Sequence, residues 1–417
     1  MEKSLENWLN YIQTLRPIEE DFSLARVRHI YKDLVNTSLA KKVVVVGGTN
    51  GKGTTVEFLN NLALTKGLKV GSYTSPHLFK FNERIRINGQ PIGDDQIVNA
   101  FESIEEIRGE QKLTYFDFAT LAALKIFSKS KLDLVILEIG IGGRFDPVNI
   151  VNPDISILTS VDLDHENWLG ETKEKIGKEK AAIFRKNKPA ILGQLRLPSS
   201  VLTEAEAIGA EVIHIGKEFN AIDHRNGNWS YNFNRSQKDS NEFKKNNLSI
   251  ESAACALTAF ILLGYDLNHS SIEAINSTQL EGRCDLVDGK FLLDVSHNQA
   301  SAKQLSNYLE SNYKNNRKIS AIFGVMQDKN VKEIISEIKP HVSKWRITSP
   351  RIERAMTTKE LSNILTKMAV REVYTSSSVK ESIREALAES DDDELIVVFG
   401  SFYMVSEALE EIHNLRI

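Results

Sequence analysis

The stretch VVVVGGTNGKGTT, at residues 43–55, combines a β-branched apolar run, a glycine-rich turn and the start of a helical pattern. The apolar run Lys42–Val46 predicts a buried strand. Thr54–Lys66 carries apolar residues at helical spacing, which predicts a helix that ends with Gly67 in the C-cap position. A strand, a glycine-rich turn and a helix N-terminus in this order form an anion site, because backbone N–H groups can approach phosphate oxygens there.

The turn departs from the strict phosphate-loop pattern, in which a first glycine would replace Val46 and Ser or Thr would replace Gly53. An ordinary glycine-rich turn is the alternative, but the strand, loop and helix context favours phosphate binding. In that interpretation Lys52 reaches the β and γ phosphates of ATP, and a threonine hydroxyl faces Mg²⁺. The predicted ATP-binding residues are Gly48, Thr49, Asn50, Gly51, Lys52, Gly53, Thr54 and Thr55.

Strand and helix patterns alternate through most of the chain, which predicts an α/β fold with a mostly parallel sheet and helices on both faces. Further strands are predicted at Lys69–Tyr73, Asp133–Glu138 and Asp154–Val161 in the first half. From Lys290 the alternation restarts, with strands predicted at Phe291–Val295, Ile319–Phe323, Trp345–Thr348, Glu372–Thr375 and Leu395–Phe399. We therefore expect a P-loop-type N-terminal domain over residues 1–281 and a smaller Rossmann-like C-terminal α/β domain over residues 282–417.

The segment Ala221–Asn247 interrupts this alternation with a composition rich in Asn, Lys, Asp and Ser. Its alternating run Trp229–Phe233 could be half of a hairpin. We interpret the segment as a surface excursion and not as a domain. A helix is predicted after it, at Ile250–Leu263.

Composition and charge exclude several classes of protein. The net charge of −4 gives no global attraction to nucleic acid. Cys255 and Cys284 lie far apart in the sequence and indicate reduced thiols rather than a disulfide framework. The N-terminus lacks the order of a signal peptide, and no apolar run approaches the roughly 20 residues of a membrane span. We expect a cytoplasmic protein with no membrane or nucleic-acid partner.

Several polar residues follow predicted strands, at the sheet edge where ligands bind in open parallel sheets. Ser75 could offer a hydroxyl to a hard cation, although Ser-Pro is also a common turn. Glu138 is placed as a Mg²⁺ ligand, or equally as a structural acid paired with arginine. His165 could ligate a metal or contact phosphate, and Lys180 lies on a predicted helix where a surface lysine would be ordinary.

Taken in order, eleven segments resemble the folylpolyglutamate synthase and dihydrofolate synthase family of the Mur ligase superfamily, with the bifunctional bacterial type most similar. The first seven segments are GGTNGKGTT, TSPHL, ERIRING, LTYFDFATLAAL, LEIGIGGRFDPVNIV, SVDLDHENWLGET and IGKEKAAIF. The C-terminal segments are LEGR, LLDVSHNQAS, IFGVMQDK and VFGSFYMV. Together they span nearly the whole chain.

The resemblance implies an ATP-dependent ligase that joins L-glutamate to dihydropteroate, and to reduced folates, through an acyl phosphate. It implies two Mg²⁺ ions, one held by Ser75 and Glu138 and the other by His165. It gives catalytic roles to Lys52, His165 and Lys180, with Lys180 carbamylated by CO₂.

The resemblance also implies nucleotide contacts from the C-terminal block and a pterin site. Arg283, Asp294 and His297 match residues that hold ATP. Phe116 and Asp146 resemble pterin-binding residues, since an aromatic ring can stack on a pterin and a carboxylate suits its paired N–H donors. The alternative for LTYFDF is simply helix core.

At two positions the chain departs from the family. Ser252 stands where the family often has an asparagine that helps to hold ATP, and Asp146 is followed by Pro-Val-Asn instead of Ala-Thr-Asn.

Other functions remain open at this point. A monofunctional folylpolyglutamate synthase or dihydrofolate synthase would share these motifs. A peptidoglycan-type Mur ligase shares the fold and mechanism, but the SPHL and LTYFDF segments argue against it. A regulatory ATP-binding module would not explain the C-terminal segments. The family resemblance further implies a monomer, and a monovalent cation site cannot be located from the sequence.

Overall fold

The computed structural model describes residues 4–15, 24–235, 241–313 and 318–415 of the 417 residues. The chain divides into two compact units. The first consists of Met1–Asp162 and Glu166–Thr278, and the second of Leu163–His165 and Gln279–Ile417. A three-residue segment of the N-terminal half therefore belongs to the second unit.

The main sheet of the first unit has eight strands within the described residues. They are β1 (Ala40–Gly47), β2 (Val70–Tyr73), β3 (Ile85–Ile87), β4 (Gln90–Pro91), β5 (Leu132–Glu138), β6 (Ile155–Leu158), β7 (Pro189–Leu192) and β8 (Glu211–His214). Their order is β4-β3-β2-β5-β1-β6-β7-β8, and all neighbours are parallel except the pairs β2–β3 and β3–β4, so β3 alone is reversed. Because β1 lies between β5 and β6 and is covered on both faces, its continuous valine run is fully buried, as is usual for a central parallel strand.

Helices connect these strands and cover the sheet. They are α1 (Leu5–Thr14), α2 (Ala25–Leu34), α3 (Lys52–Leu64), α4 (Asp94–Arg108), α5 (Tyr115–Lys129), α6 (Glu166–Leu169), α7 (Lys173–Ala181), α8 (Ser199–Ile208), α9 (Ile250–Leu262) and α10 (His269–Ser277). Helix α3 packs on α9 and α10, whereas α5 packs on α1, α2 and α4. Both α3 and α5 contact β2 and β5, so the two helix layers enclose the sheet.

A second, antiparallel sheet corrects the interpretation of Ala221–Asn247 as a surface excursion. It consists of β9 (Phe219–Asp223), β10 (Asn228–Phe233) and β11 (Asn241–Lys244). Trp229 stacks on Phe243 with ring centroids 4.7 Å apart, and the hydroxyl of Tyr231 lies 3.0 Å from that of Thr258 on α9. The alternating run of β10 buries one face, so the predicted half-hairpin is confirmed. Residues 236–240 of the segment lie outside the described part.

The second unit is a smaller α/β sheet. Its strands are β12 (Asp285–Val287), β13 (Phe291–Asp294), β14 (Ile319–Phe323), β15 (Lys344–Ile347), β16 (Val373–Thr375) and β17 (Leu395–Phe399). Its helices are α11 (Gln299–Asn312), α12 (Val331–Ile338), α13 (Thr358–Lys367), α14 (Val379–Glu389) and α15 (Phe402–Leu415). The order is β12-β13-β17-β14-β15-β16, parallel except for β12, so the predicted fold class is confirmed in both units.

Several predicted boundaries differ from the structure, most clearly those of α3 and β6. Helix α3 begins at Lys52, two residues before the predicted start, and ends at Leu64. The residue that caps it is Thr65, and Gly67 follows in the left-handed conformation at φ 69°. Strand β6 ends at Leu158 and not at Val161. No described helix is long and apolar enough to cross a membrane.

Candidate active site

The loop between β1 and α3 has a backbone that requires glycine at two positions. Gly48 has φ 145° and Gly51 has φ 84°, and both conformations disfavour L side chains. A Cβ atom on Gly48 would lie only 1.9 Å from Oγ1 of Thr159. These glycines bring the chain around so that the first amides of α3, which have no intrahelical acceptor, face the loop.

Two lysines converge on this loop. Nζ of Lys52 donates to the carbonyl oxygen of Gly48 at 3.1 Å and lies 3.3 Å from that of Thr49. Nζ of Lys180, which is buried on α7, donates to the same Gly48 oxygen at 3.0 Å. The two ammonium groups are therefore neighbours at the loop.

Helix α7 is fixed by Arg144. Its Nε lies 3.1 Å from Oε1 of Glu179, and its Nη2 lies 2.7 Å from Oε1 of Glu204 on α8. A Cβ atom on Gly143 would lie 2.6 Å from the carbonyl oxygen of Glu179. This close approach of the β5 loop to α7 sets the position of Lys180.

The predicted metal ligands Ser75 and Glu138 are brought together. The backbone N–H of Ser75 donates to Oε2 of Glu138 at 3.1 Å. Glu138 is buried at the end of β5, and a Cβ atom on Gly53 would lie 3.6 Å from its Oε2. The carboxylate therefore lies against the first turn of α3. Within the described ranges, no group of three or more His, Cys, Asp and Glu side chains is arranged to hold a metal ion.

A histidine and an arginine near Ser75 form a contact that the sequence did not predict. Nε of Arg84 donates to Nδ1 of His77 at 2.8 Å, and its guanidinium lies over the rings of Phe81 and Tyr115. Burial and, to a smaller extent, the charge of Arg84 lower the pKa of His77 to about 4. Since Nδ1 accepts a hydrogen bond, the neutral imidazole carries its proton on Nε2.

The predicted pterin-binding residues lie at the β5 loop. A Cβ atom on Gly140 would lie 2.5 Å from the ring of half-buried Phe116, so the ring packs directly on the loop backbone. The carboxylate of Asp146 accepts N–H hydrogen bonds from Gly140, Ile141 and Val148 at 2.9–3.0 Å. Burial raises the pKa of Asp146 to about 7, against these hydrogen bonds, which favour the carboxylate.

The rest of the LTYFDF segment is mostly structural. Thr114 caps α5, and Phe118 is buried in the core. Asp117 forms a buried ion pair with Arg26, with Nε 3.0 Å from Oδ2. The ring of Phe116 instead packs on the backbone of the β5 loop at Gly140.

In the second unit, Asp294 shapes the loop after β13. One carboxylate oxygen accepts from the backbone N–H of Cys284 at 2.8 Å, and the other accepts from the N–H of Ser296 at 2.8 Å. His297 follows, with Nδ1 2.9 Å from the carbonyl oxygen of Val295. The guanidinium of Arg283 lies over the ring of Phe402, 4.9 Å from its centroid.

The segment Leu163–His165 contributes a buried carboxylate to this second unit. Asp164 forms a 2.6 Å ion pair with Lys329, accepts from Nδ2 of Asn298 at 3.0 Å and lies 3.5 Å from Nε2 of His297. Burial alone would raise the pKa of Asp164, but the hydrogen bond and charge of His297, with the charges of His165 and Lys329, hold it well below its usual range. The predicted metal ligand His165 follows in a left-handed conformation at φ 51°, and its N–H donates to Asp164.

Ser252, one of the two positions at which the sequence departs from the family pattern, lies at the phosphate loop. It is buried at the start of α9, and its Oγ donates to the carbonyl oxygen of Gly51 at 3.4 Å. Its hydroxyl therefore contacts the backbone of the loop.

Comparison with known proteins assigns the chain to a family. The Mur ligase middle domain matches residues 46–257, and the Mur ligase glutamate ligase domain matches residues 282–402. The dihydrofolate synthase/folylpolyglutamate synthase of Escherichia coli strain K12 is 35% identical over 99% of this chain and 96% of its own length. The chain belongs to the dihydrofolate synthase/folylpolyglutamate synthase family of Mur ligases. The Haemophilus influenzae member is 32% identical over 97% of this chain and 96% of its own length.

Solved structures of family members have the same fold. The E. coli enzyme in complex with DHPP and ADP superposes with a TM-score of 0.93 at 33% identity, covering 99% of both chains. The Yersinia pestis bifunctional enzyme complexed with AMPPNP and Mn ion superposes with a TM-score of 0.91 at 33% identity, covering 98% of both chains. The resemblance found in the sequence is confirmed, and the chain is an ATP-dependent, amide-forming ligase of this family.

Family membership leaves the individual residue roles to be argued from geometry. The structure brings together Lys52, Lys180, Ser75 and Glu138 around the loop in the first unit. It places His165 in the second unit, with Arg283, Asp294 and His297. Two contacts were not predicted from the sequence, that of Arg84 with His77 and that of Lys329 with Asp164. Arg84 lies in the segment ERIRING and Lys329 in the segment IFGVMQDK, and both segments carried the resemblance.

Proposed function

We propose that this enzyme adds L-glutamate both to dihydropteroate, forming dihydrofolate, and to reduced folates, forming folylpolyglutamates. The observation that carries the proposal is the convergence of Lys52, Lys180 and the Ser75–Glu138 pair on one phosphate loop. The names of the relatives supply the substrates, since those of E. coli and H. influenzae are called dihydrofolate synthase/folylpolyglutamate synthase.

The chemistry proceeds in two steps. A carboxylate oxygen of the folate acceptor attacks the γ-phosphorus of ATP, the bond to the β-phosphate oxygen breaks, and ADP leaves. The amine of glutamate then attacks the acyl carbon, phosphate leaves and the amine loses a proton. Because little covalent work falls to the protein, positioning and charge neutralisation dominate the catalysis. Lys52 would hold the β and γ phosphates of ATP.

The residues at the strand ends fit divalent metal ions. Glu138 is a buried carboxylate placed against the phosphate loop, and Ser75 adds a hydroxyl beside it, so the set offers the hard oxygen donors that Mg²⁺ prefers. These two residues would hold one Mg²⁺ and His165 the second. Bound Mg²⁺ supplies neutralisation of charge on the phosphate oxygens.

We further propose that Lys180 is carbamylated. Its amine is buried and shares the Gly48 oxygen with Lys52, so two neighbouring cations would otherwise repel each other in a desolvated site. The ammonium of Lys180 first loses one proton; addition of the resulting amine nitrogen to CO₂, with loss of a second proton, then replaces this cation by a carbamate anion. Arg144 holds the helix that presents the group.

The second unit would bind ATP through Arg283, Asp294 and His297. The guanidinium of Arg283 is positioned by the Phe402 ring. Asp294 would act mainly by holding the loop that presents His297, because its carboxylate accepts from Cys284 and Ser296.

The pterin of the acceptor would bind at the β5 loop. Phe116 offers an aromatic face beside Gly140, and Asp146 offers a carboxyl group near it. We also propose that the enzyme works in the cytoplasm as a monomer. Light scattering of the purified protein tests the oligomeric state.

The deciding experiment for bifunctionality supplies purified enzyme with ATP, Mg²⁺, glutamate and either dihydropteroate or tetrahydrofolate. Amide product from both acceptors is expected. Turnover of one acceptor alone would indicate a monofunctional enzyme; a Lacticaseibacillus casei relative that is 26% identical is called folylpolyglutamate synthase. Glutamate-dependent phosphate release separates a ligase from a regulatory ATP-binding module. Activity with a UDP-muramoyl substrate would instead indicate a peptidoglycan ligase.

A further inference from the structure

Hydrogen bonds join the phosphate loop to a second segment, Thr159–Asp162, which follows the neighbouring strand β6. The contacts begin where β1 ends, with the N–H of Thr159 donating to the carbonyl oxygen of Gly47 at 2.9 Å. They continue to Thr49, whose Oγ1 accepts from the N–H of Asp162 at 3.0 Å. We name Thr159–Asp162 the loop clamp. None of its residues was assigned a role from the sequence.

The side chain of Thr159 forms hydrogen bonds with the backbone of the phosphate loop. Its Oγ1 lies 2.6 Å from the carbonyl oxygen of Asn50 and 3.2 Å from that of Gly47. The residue is buried, and its hydroxyl occupies the space that a Cβ atom on Gly48 would need. Thr159 therefore bonds to the loop at Gly47 and at Asn50, on either side of Gly48.

Ser160 bonds to both backbone groups of Asn50. The N–H of Asn50 donates to its Oγ at 3.0 Å, and the same Oγ lies 3.1 Å from the carbonyl oxygen of Asn50. The carbonyl oxygen of Ser160 accepts from the N–H of Thr49 at 2.9 Å. The N–H groups of Thr49 and Asn50 thus donate to the clamp. The N–H groups from Gly51 onward would therefore be the ones that bind phosphate oxygens.

These contacts explain how an unusual backbone persists. Gly48 and Gly51 both have positive φ values, and because glycine has many accessible conformations, contacts with the clamp are needed to hold this one. We infer that Thr159 and Ser160 are positioning residues for ATP, which act by holding the phosphate loop in its binding shape and do not themselves touch the nucleotide. This inference rests on the binding of ATP at the loop.

The test removes each hydroxyl with the least change in volume. Thr159→Val and Ser160→Ala are each expected to weaken ADP binding about five- to tenfold, the usual cost of one buried hydrogen bond. The KM for ATP should rise in parallel while the KM for glutamate stays close to that of the wild type. Thr159→Ser keeps the hydroxyl and should restore most of the affinity. Isothermal titration with ADP and steady-state kinetics provide these values.

A matched control separates loop positioning from general stability. Thr258→Val makes the same substitution at a buried threonine of the first unit, where the hydroxyl contacts Tyr231 and the carbonyl oxygen of Ala254. It should leave ADP affinity unchanged. If Thr159→Val does not fold, Ser160→Ala still tests the inference.

Two outcomes would overturn the inference. In the first, Thr159→Val and Ser160→Ala fold and bind ADP as tightly as the wild type. In the second, Thr258→Val loses as much ADP affinity as they do. Failure of the wild type itself to bind ADP would count against nucleotide binding and not against the clamp.

Discussion

Lys180 and Lys52 donate hydrogen bonds to one and the same acceptor, the carbonyl oxygen of Gly48, at 3.0 Å and 3.1 Å. The two lysines come from helices that follow different strands, and Lys180 is the more deeply buried. We predict that Lys180→Ala lowers kcat by about 100-fold or more, because a preorganised charge at the phosphate loop is lost. Glutamate-dependent ADP release measures the effect. Lys178→Ala, at an exposed lysine of the same helix, should retain activity.

The chemical state of Lys180 can be measured directly. Active enzyme incubated with isotope-labelled bicarbonate should show a carbamate signal that is absent from Lys180→Ala. Fully active enzyme with a plain Lys180 amine would contradict carbamylation while leaving the kinetic prediction intact.

Glu138→Gln is predicted to raise the Mg²⁺ concentration for half-maximal activity by at least about tenfold, since even residues that only support a metal ligand cost this much. The amide keeps the size of the side chain but loses the charge that would attract the cation. Activity measured across a range of Mg²⁺ concentrations gives the shift. Glu206→Gln, on the exposed face of α8, is the matched control, and equal Mg²⁺ dependence in both variants would refute the assignment.

Asp146 should make the stability of the enzyme depend on pH. Its pKa is raised from 3.8 to about 7 in the folded state, so between these values the folded protein binds more protons than the unfolded chain. The contribution of Asp146 to stability therefore falls as the pH rises through this window and is constant above it. Thermal unfolding of the wild type and Asp146→Asn across the window should reveal the difference in slope. Parallel curves would show that Asp146 does not titrate there.

The same variant should also affect acceptor binding. An amide at position 146 has one acceptor oxygen, so it cannot satisfy the N–H groups of Gly140, Ile141 and Val148 together. We expect a higher KM for dihydropteroate with a nearly unchanged KM for ATP.

Lys329→Met is predicted to lower the free energy of unfolding by about 3 kcal/mol, because it leaves a buried carboxylate without its closest cation. The pKa of Asp164 is depressed in the folded state, so its stabilising contribution is present at neutral pH and is lost on acidification. The variant should therefore differ most from the wild type near neutrality. Urea unfolding at neutral and acidic pH measures this, and Lys332→Met, at an exposed lysine, serves as the control.

The sequence was sufficient for most of the fold because the strands are short, apolar and separated by clear helical patterns. Ile319–Phe323 and Leu395–Phe399 are observed at the predicted bounds. Strand β6 was predicted too long because Thr159 and Val161 are β-branched. The backbone groups of residues 159–161 bond to Gly47 at the end of β1, to Thr49 in the loop and to the side chain of Gln194, so the strand ends at Leu158.

The positions of Lys52, at the start of α3, and Glu138, at the end of β5, could be predicted from the sequence, while their roles stay predictions. The site was not predictable where the role depends on a partner distant in sequence. Asp164 is one of several acids near His165, and only the fold shows that Lys329 neutralises it. The three-stranded sheet was predicted only at β10, because β9 and β11 have no comparable run of alternating aromatic residues.

The loop clamp also bears on the stage of folding at which the chain becomes able to bind nucleotide. Asn50 and Ser160 are 110 residues apart in the sequence, so the hydrogen bonds between them require a long-range loop to close first. During synthesis the glycine-rich loop emerges long before the segment that shapes it. On the role inferred for the clamp, we expect full affinity for ATP only after β6 has joined the sheet.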